Sequence, residues 1–206
     1  MMSIRRQLRF LGLLMAAAAI GFASTPQPAH AVTYKVDPEH TSVAFTVRHL
    51  LTKVKGRFDR FEGTITLDPA HPEQAKAAGS IDVASVNTNV EERDKDLRSE
   101  RFFDAAKFPK IIFVSTKASD ISADRKRGKL HGKLTMHSIE RPVVLDVEFL
   151  GEAQDPWGNK RAAFTATTTI NRKDFGLTWN ETLETGGVLV GDDIQIEIDA
   201  EALIEE

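Results

Sequence analysis

The sequence predicts an all-β domain, on three observations: apolar residues recur at every second position along most of the chain, Asp, Asn, Gly and Pro clusters separate these runs, and only two short stretches keep a helical spacing. About eight strands with antiparallel-style alternation and two short helical inserts suit either a sandwich or a closed barrel. The alternation alone does not separate the two.

The chain opens on a leader. Arg5, Arg6 and Arg9 form a positive segment, Phe10 to Phe22 is an unbroken run of apolar or glycine residues, and Ala29-His30-Ala31 has the small-x-small form that signal peptidase cuts. A run of this length is too short for a bilayer, which needs about 20 apolar residues. The expectation is a cleaved signal peptide over 1–31, no integral membrane segment after cleavage, and an exported, periplasmic domain over 32–206. Arg5-Arg6 hints at twin-arginine export, but its surroundings match that motif poorly, and ordinary secretion fits better.

The leader holds three arginines and no acid, so the remainder carries 24 basic against 30 acidic residues, a net charge of −6. Such a surface is ill-suited to general binding of nucleic acid or of anionic membrane. There is no cysteine. Thiol chemistry and thiolate metal sites are excluded, and stability rests on the core although the exported compartment permits disulfides.

The alternating runs follow in order. Val43, Phe45 and Val47 oppose Ala44, Thr46 and Arg48; Phe61, Gly63, Ile65 and Leu67 oppose Glu62, Thr64 and Thr66; Ile81 and Val83 continue the pattern. Ile111 to Val114 is continuously apolar and predicts a strand with little solvent on either face. Leu130, Gly132, Leu134 and Met136 then oppose His131, Lys133, Thr135 and His137, and Val143, Leu145, Val147 and Phe149 oppose Val144, Asp146 and Glu148. Phe164, Ala166, Thr168 and Ile170 face away from a threonine-rich side, whose β-branched residues favour extended chain. Ile194, Ile196, Ile198 and Ala200 form the closing strand.

Asp68-Pro69, Asp155-Pro156-Trp157-Gly158-Asn159 and Gly186-Gly187 read as turns. Asp124 to Gly128 reads as a charged, solvated hairpin tip. Helix formers fill Pro72 to Ala78, and Glu91 to Ala106 has helical spacing that lets Leu97 share a face with Phe102 or Phe103.

The chain lacks the Gly-x-Ser-x-Gly, His-Glu-x-x-His, P-loop and dinucleotide-binding phrases, and without cysteine no Cys-His couple can exist. His131 and His137, six apart on one strand, stand about 20 Å from each other and cannot chelate one ion through that strand alone. No metal or cofactor site is expected. Arg93 and Asp94 are neighbours on a helix and point about 100° apart, so each is expected to have its own partner. Two readings stay open for Arg93, Arg98 and Arg172: caps on a solvated helix or turn, or a rim where a planar guanidinium holds an anionic ligand head. Twelve phenylalanines, two in the leader, accompany only Tyr34, Trp157 and Trp179. In a sandwich they fill the space between sheets; in an open barrel they line a dry tunnel.

The block Asn87 to Asp104, followed by Phe108-Pro109-Lys110-Ile111-Ile112-Phe113, resembles the signature of the YceI-like family of periplasmic polyisoprenoid-binding proteins. Further phrases fall in the same order: Asp37 to Val47 is similar to the family's opening strand, Gly56-Arg57-Phe58 with Phe61-Glu62-Gly63 to its next phrase, and Gly132 to His137 with Arg141-Pro142-Val143 to a central motif. Asn171 to Leu177 and Gly191-Asp192 resemble the late phrases. One departure is Asp96, where the family often has histidine; it leaves the head-group preference open.

The resemblance implies an extended, lipocalin-like antiparallel β-barrel whose interior holds a long-chain isoprenoid or similar lipid, with no known catalysis. On that reading Phe45, Val47, Ile65, Val83, Phe113, Leu145 and Phe164 line the channel, and Arg93, Asp94 and Arg172 form a polar rim. The implied function is a periplasmic lipid carrier. Two alternatives are a stress-linked accessory of a membrane cytochrome or quinone system and an unrecognised histidine-dependent enzyme. Whether two barrels pair as a homodimer is left open.

Overall fold

A computed structural model describes residues 31–184 and 186–205. Apart from Ala31, the expected signal peptide lies outside the described residues. The strands are β1 (Val32–Val36), β2 (Ser42–His49), β3 (Thr52–Phe58), β4 (Phe61–Leu67), β5 (Lys76–Asp82), β6 (Val86–Asn87), β7 (Lys110–Ser119), β8 (Arg127–Met136), β9 (Ile139–Gln154), β10 (Lys160–Asn171) and β11 (Val190–Ile204). Among the described residues one α-helix, α1 (Glu91–Arg98), interrupts them.

Every pairing is antiparallel, and the sheet closes on itself. Closure depends on β11, which pairs with two strands along one edge: β2 through Val190 to Asp199, and β1 through Ala202 to Ile204. β1 and β2 thus lie end to end as one interrupted strand. β3 and β4 do the same beside them, because β3 pairs with β2 and β4 with β1. Counting each composite as one gives an eight-stranded ring, and an eight-stranded barrel leaves an interior wide enough for side chains or one small ligand. Closure also removes the free edges that would invite aggregation.

The alternation resolves as expected in most strands. In β8, Leu130 and Met136 are buried while Lys133 is exposed, and in β10 Ile170 is buried while Thr167 and Thr169 face out. β7 departs from the expectation of a strand shielded on both faces. Ile111 is buried and Phe113 turns inward, but Ile112 and Val114 are 42% and 49% exposed, because the ring has solvent on its whole outer face.

Both helical inserts are shorter than expected. Pro72 to Gln74 makes a single 3₁₀ turn, and Lys76 onward enters β5, where Ala77 pairs with Ile65. Ladder pairing there overrides helix propensity. α1 stops at Arg98 because Ser99 is extended and its N–H and hydroxyl close on carbonyls of the last turn. The first turn of α1 is acidic, as the positive end of the helix dipole favours.

The two ends of the barrel differ. One, the capped end, carries α1 and residues 99–109, the tight turn at His137-Ser138 and the 3₁₀ turn Arg172–Phe175. The other, the hairpin end, carries the loop 68–75 and the β7–β8 and β9–β10 turns. The main buried cluster, with Phe58, Val86, Ile111, Met136, Phe175 and Leu177, lies at the capped end. A smaller one around Tyr34, Leu67, Ala162 and Ala202 lies at the hairpin end.

Candidate functional site: an apolar cavity along the barrel

A cavity of about 370 Å³ occupies the barrel interior, and its wall is almost wholly apolar. Phe45, Val47, Ile65, Phe113, Leu145 and Phe164 all line it. They come from β2, β4, β7, β9 and β10, five strands of the ring. That size lies within the range of small-molecule sites.

Val83 does not line the cavity. The chain leaves the ladder at Asp82, whose carboxylate accepts from the Ala84 N–H at 2.9 Å, and a 3₁₀ turn over Val83–Ser85 drops Val83 into the buried cluster. The alternation that placed it on the channel face ends one residue too early.

Two glycines keep the lumen open. A Cβ on Gly132 would stand 2.3 Å from Phe113 Cε2, and one on Gly56 would stand 2.4 Å from Phe45 Cζ. Each ring therefore lies against the sheet over a missing side chain instead of projecting across the tunnel. Glycine in a strand costs entropy and packs nothing of its own, so close approach of a neighbour is its physical reason here.

At the capped end aromatic packing closes the tunnel. The Phe103 ring meets Phe58 edge-on at 6.0 Å, Phe58 meets Phe45 at 5.7 Å, and Phe102 packs on Trp179 at 5.0 Å. The Arg101 guanidinium lies 4.4 Å from the centroid of the Trp179 ring, a cation–π contact. The wall residues there, among them Leu97, Phe102, Phe103 and Leu177, are half-buried or buried.

The expected polar rim also falls at this end, and its groups are spent on the protein itself. Asp94 is buried and accepts from both the N–H and the hydroxyl of Thr88, at 2.8 and 2.6 Å, while Arg93 donates to the same hydroxyl at 2.8 Å and to the Thr88 carbonyl at 3.0 Å. The two neighbours share one partner, where separate partners were expected. Together they pin the approach to α1, which has no side-chain cap of its own.

Arg172 borders the cavity but is only 4% exposed. Its guanidinium donates to the carbonyls of Gly191, Leu177 and Trp179 at 2.9, 2.5 and 2.8 Å, and to Asp192 at 3.3 Å. Burial pulls its pKa below the usual arginine value, against the pull of Asp192. These bonds make Arg172 a tie between the 3₁₀ turn, the strand-free segment after it and the start of β11.

The exposed cations of the wall stand at the hairpin end. Lys76, Arg125, Lys126 and Arg127 border the cavity there and are exposed. Arg125 Nη1 reaches across the mouth to the Ala70 carbonyl at 3.1 Å. The charged composition of this hairpin marks it as a solvated tip, and the fold sets that tip at the mouth. The signal was present: carrying the inward set of β8 back from Leu130 puts Gly128 on the inner face, where a Cβ would stand 2.7 Å from Ile121, another wall residue.

The histidines are dispersed. His131 contacts the Ser119 hydroxyl at 2.8 Å, His40 pairs with Asp37, and His137 sits in a turn against Phe108, 4.2 Å between ring centroids. Among the described residues no group of three His, Asp or Glu side chains is placed to hold a metal ion.

Comparison with known proteins agrees with this architecture. A UPF0312 protein of Vibrio cholerae is 39% identical over 169 residues, which cover 80% of this chain and 87% of that one. The crystal structure of BcnA from Burkholderia cenocepacia superposes with a TM-score of 0.69 at 26% identity, covering 81% of this chain and 99% of that one. A polyisoprenoid binding domain from Saccharophagus degradans, at 15% identity, shares the fold with a TM-score of 0.59 over 84% of this chain and 99% of its own. The model of the YceI-like domain matches residues 34–202, nearly all of the barrel, and the chain belongs to the YceI-like family.

Proposed function

We propose that this protein is an exported, periplasmic carrier that holds a long-chain isoprenoid or similar amphiphilic lipid in the barrel. The apolar cavity inside the closed eight-stranded ring carries the reading. Each CH₂ group moved from water into such a wall contributes about 0.8 kcal/mol, so a long chain is held by the tail alone. The polar head lies at the hairpin end, where the wall has exposed cations; at the capped end Arg93 is bonded to Thr88 and Arg172 to three backbone carbonyls. The leader composition supports export, and the Saccharophagus neighbour, by its description, binds a ligand of the proposed class.

Native mass spectrometry of the protein purified from its own periplasm tests the carrier reading. A co-purifying apolar mass that exchanges with added prenol is expected; a protein that is ligand-free and takes up no prenol overturns it. N-terminal sequencing of the exported form should begin at Val32. A mature chain retaining Met1 or Phe10 overturns the periplasmic assignment.

A further inference from the structure

We propose that the hairpin end of the barrel is a docking face for an anionic lipid bilayer, which seats the cavity mouth on the membrane. The proposal rests on the carrier reading for its purpose and on three separate features of this end for its evidence. The first is charge. Arg125, Lys126 and Arg127 follow one another on the β7–β8 hairpin with Lys76 on the wall beside them, and all four are exposed. Among the described residues none of the four forms an ion pair. Asp124, the acid within the run, is turned into its own hairpin, accepting from the Ser122 hydroxyl at 2.5 Å and the Lys126 N–H at 3.1 Å. Glu148, exposed on the wall opposite Arg127, and Glu73 on the loop 68–75 offset part of this charge, and the cations around the mouth still outnumber them. A locally positive mouth on a chain of net negative charge is the complement of a phosphate-rich surface, and each Lys or Arg near such a surface adds about 1 kcal/mol of attraction.

The second feature is Trp157. It is 82% exposed, at the tip of the β9–β10 hairpin next to the basic one. The Phe149 N–H bonds the Lys126 carbonyl at 2.7 Å, and from there β9 runs on to Gln154, so this hairpin projects past the basic residues. The turn is rigid: the Asp155 carboxylate accepts from the Trp157 N–H at 3.0 Å, the Asn159 N–H at 2.9 Å and the Asn159 side chain at 2.8 Å. A single exposed apolar side chain is ordinary on a protein surface. A tryptophan fixed at the tip beside a basic mouth is the arrangement found at membrane–water interfaces, where the ring sits at headgroup depth.

The third feature is the mouth itself. A lipid drawn from a bilayer tail-first leaves its head at the face that touches the membrane, and the exposed end of the wall is this one. The Arg125 guanidinium, whose one hydrogen bond among the described residues is to the Ala70 carbonyl, spans the opening and can release that bond to a phosphate.

Co-sedimentation with phosphatidylglycerol vesicles tests the proposal, with phosphatidylcholine vesicles as the uncharged arm. The protein is expected to bind the anionic vesicles, to lose binding as salt screens the charges, and to show a blue shift of tryptophan emission. Arg125→Gln with Lys126→Gln and Arg127→Gln should weaken binding about a hundredfold, following about fivefold per charge. Trp157→Phe should abolish the blue shift while the protein still sediments. Equal binding to both kinds of vesicle, no binding to either, or anionic binding unchanged in the triple variant overturns the docking face. Uptake of the apolar probe 1-aminoanthracene without vesicles reports the cavity independently. A triple variant that takes up the probe yet has lost the vesicles separates docking from carriage.

Discussion

Arg161 Nη1 donates to Asp37 Oδ2 at 2.7 Å, joining β10 to the bend where β1 gives way to β2. The same guanidinium reaches Asp155 at 3.1 Å and Glu201 at 3.3 Å, so one cation holds the composite strand, the β9–β10 turn and β11 together.

The pH dependence of stability follows from this cluster. The Arg161 bond holds the Asp37 carboxyl down at about 2, helped by His40 and opposed by burial. Burial pushes Asp155 up, but hydrogen bonds from Asn159, Arg161 and Trp157 outweigh it and bring that group to about 2 as well. Both values lie below the ordinary 3.8, so the stability these groups contribute is complete above about pH 4 and is lost as pH falls toward 2. Acid titration followed by circular dichroism should place unfolding in that interval. Arg161→Gln should move the midpoint upward, and an unmoved midpoint would show that the cluster adds nothing to the fold.

Tyr34, the chain's one tyrosine, is 1% exposed and donates its hydroxyl to the Glu152 carboxylate. Burial, and after it the bond to and charge of Glu152, push its pKa well above the usual phenol value. A raised folded value means that its contribution is intact below pH 10 and declines above it. Phenolate absorbance should therefore appear only as the protein unfolds. Glu152→Gln should bring ionisation to lower pH in the folded state; a phenol that titrates near 10 in the native protein would contradict the buried assignment.

The arginines of the capped end should behave as braces. Arg93→Ala frees the Thr88 carbonyl, and Arg172→Ala strands three carbonyls while Asp192 keeps its bond to Lys173; each should cost about 1–3 kcal/mol of unfolding free energy. Affinity for a prenol and for its phosphate should change alike. A loss confined to the phosphorylated ligand would return these residues to the rim role that their position in the sequence suggested.

The strands that were legible are those with uninterrupted alternation, such as Phe164 to Ile170 and Leu130 to Met136. β3 was not, because Lys53, Lys55 and Arg57 alternate with Val54 and Gly56, a set too small in apolar bulk to stand out. β1 was hidden by its place at the presumed cleavage point. Closure of the ring was illegible for a different reason: it rests on β11 pairing with β1 at one end and β2 at the other, across at least 140 residues of intervening chain. The same applies to charge. Arg93 and Arg125 look equally free in the sequence, and only the fold decides that one has Thr88 against it and the other an open mouth. Phrase by phrase, resemblance located the barrel; neither it nor periodicity could say which end opens.

Gly132 offers the most direct test of how the cavity is kept clear. Its added Cβ would meet Phe113 Cε2 at 2.3 Å, Cζ at 2.5 Å and the Val114 carbonyl oxygen at 2.7 Å. The ring can rotate away, but the carbonyl belongs to the ladder and cannot move without disturbing β7. Gly132→Ala should therefore both strain the sheet, by about 1–3 kcal/mol as overpacking does, and turn the Phe113 ring into the lumen. The tunnel should shorten at that point, so the variant should lose affinity for long prenols more than for short ones. Phe113→Ala in the same background removes the obstructing ring and should restore long-chain binding, while the clash with the Val114 carbonyl, and with it most of the stability loss, remains. Thermal unfolding and a chain-length series of prenols measure the two effects separately. If Gly132→Ala binds every chain length as the parent does, the ring is not what the glycine accommodates, and the wall at Phe113 is not part of the ligand's path.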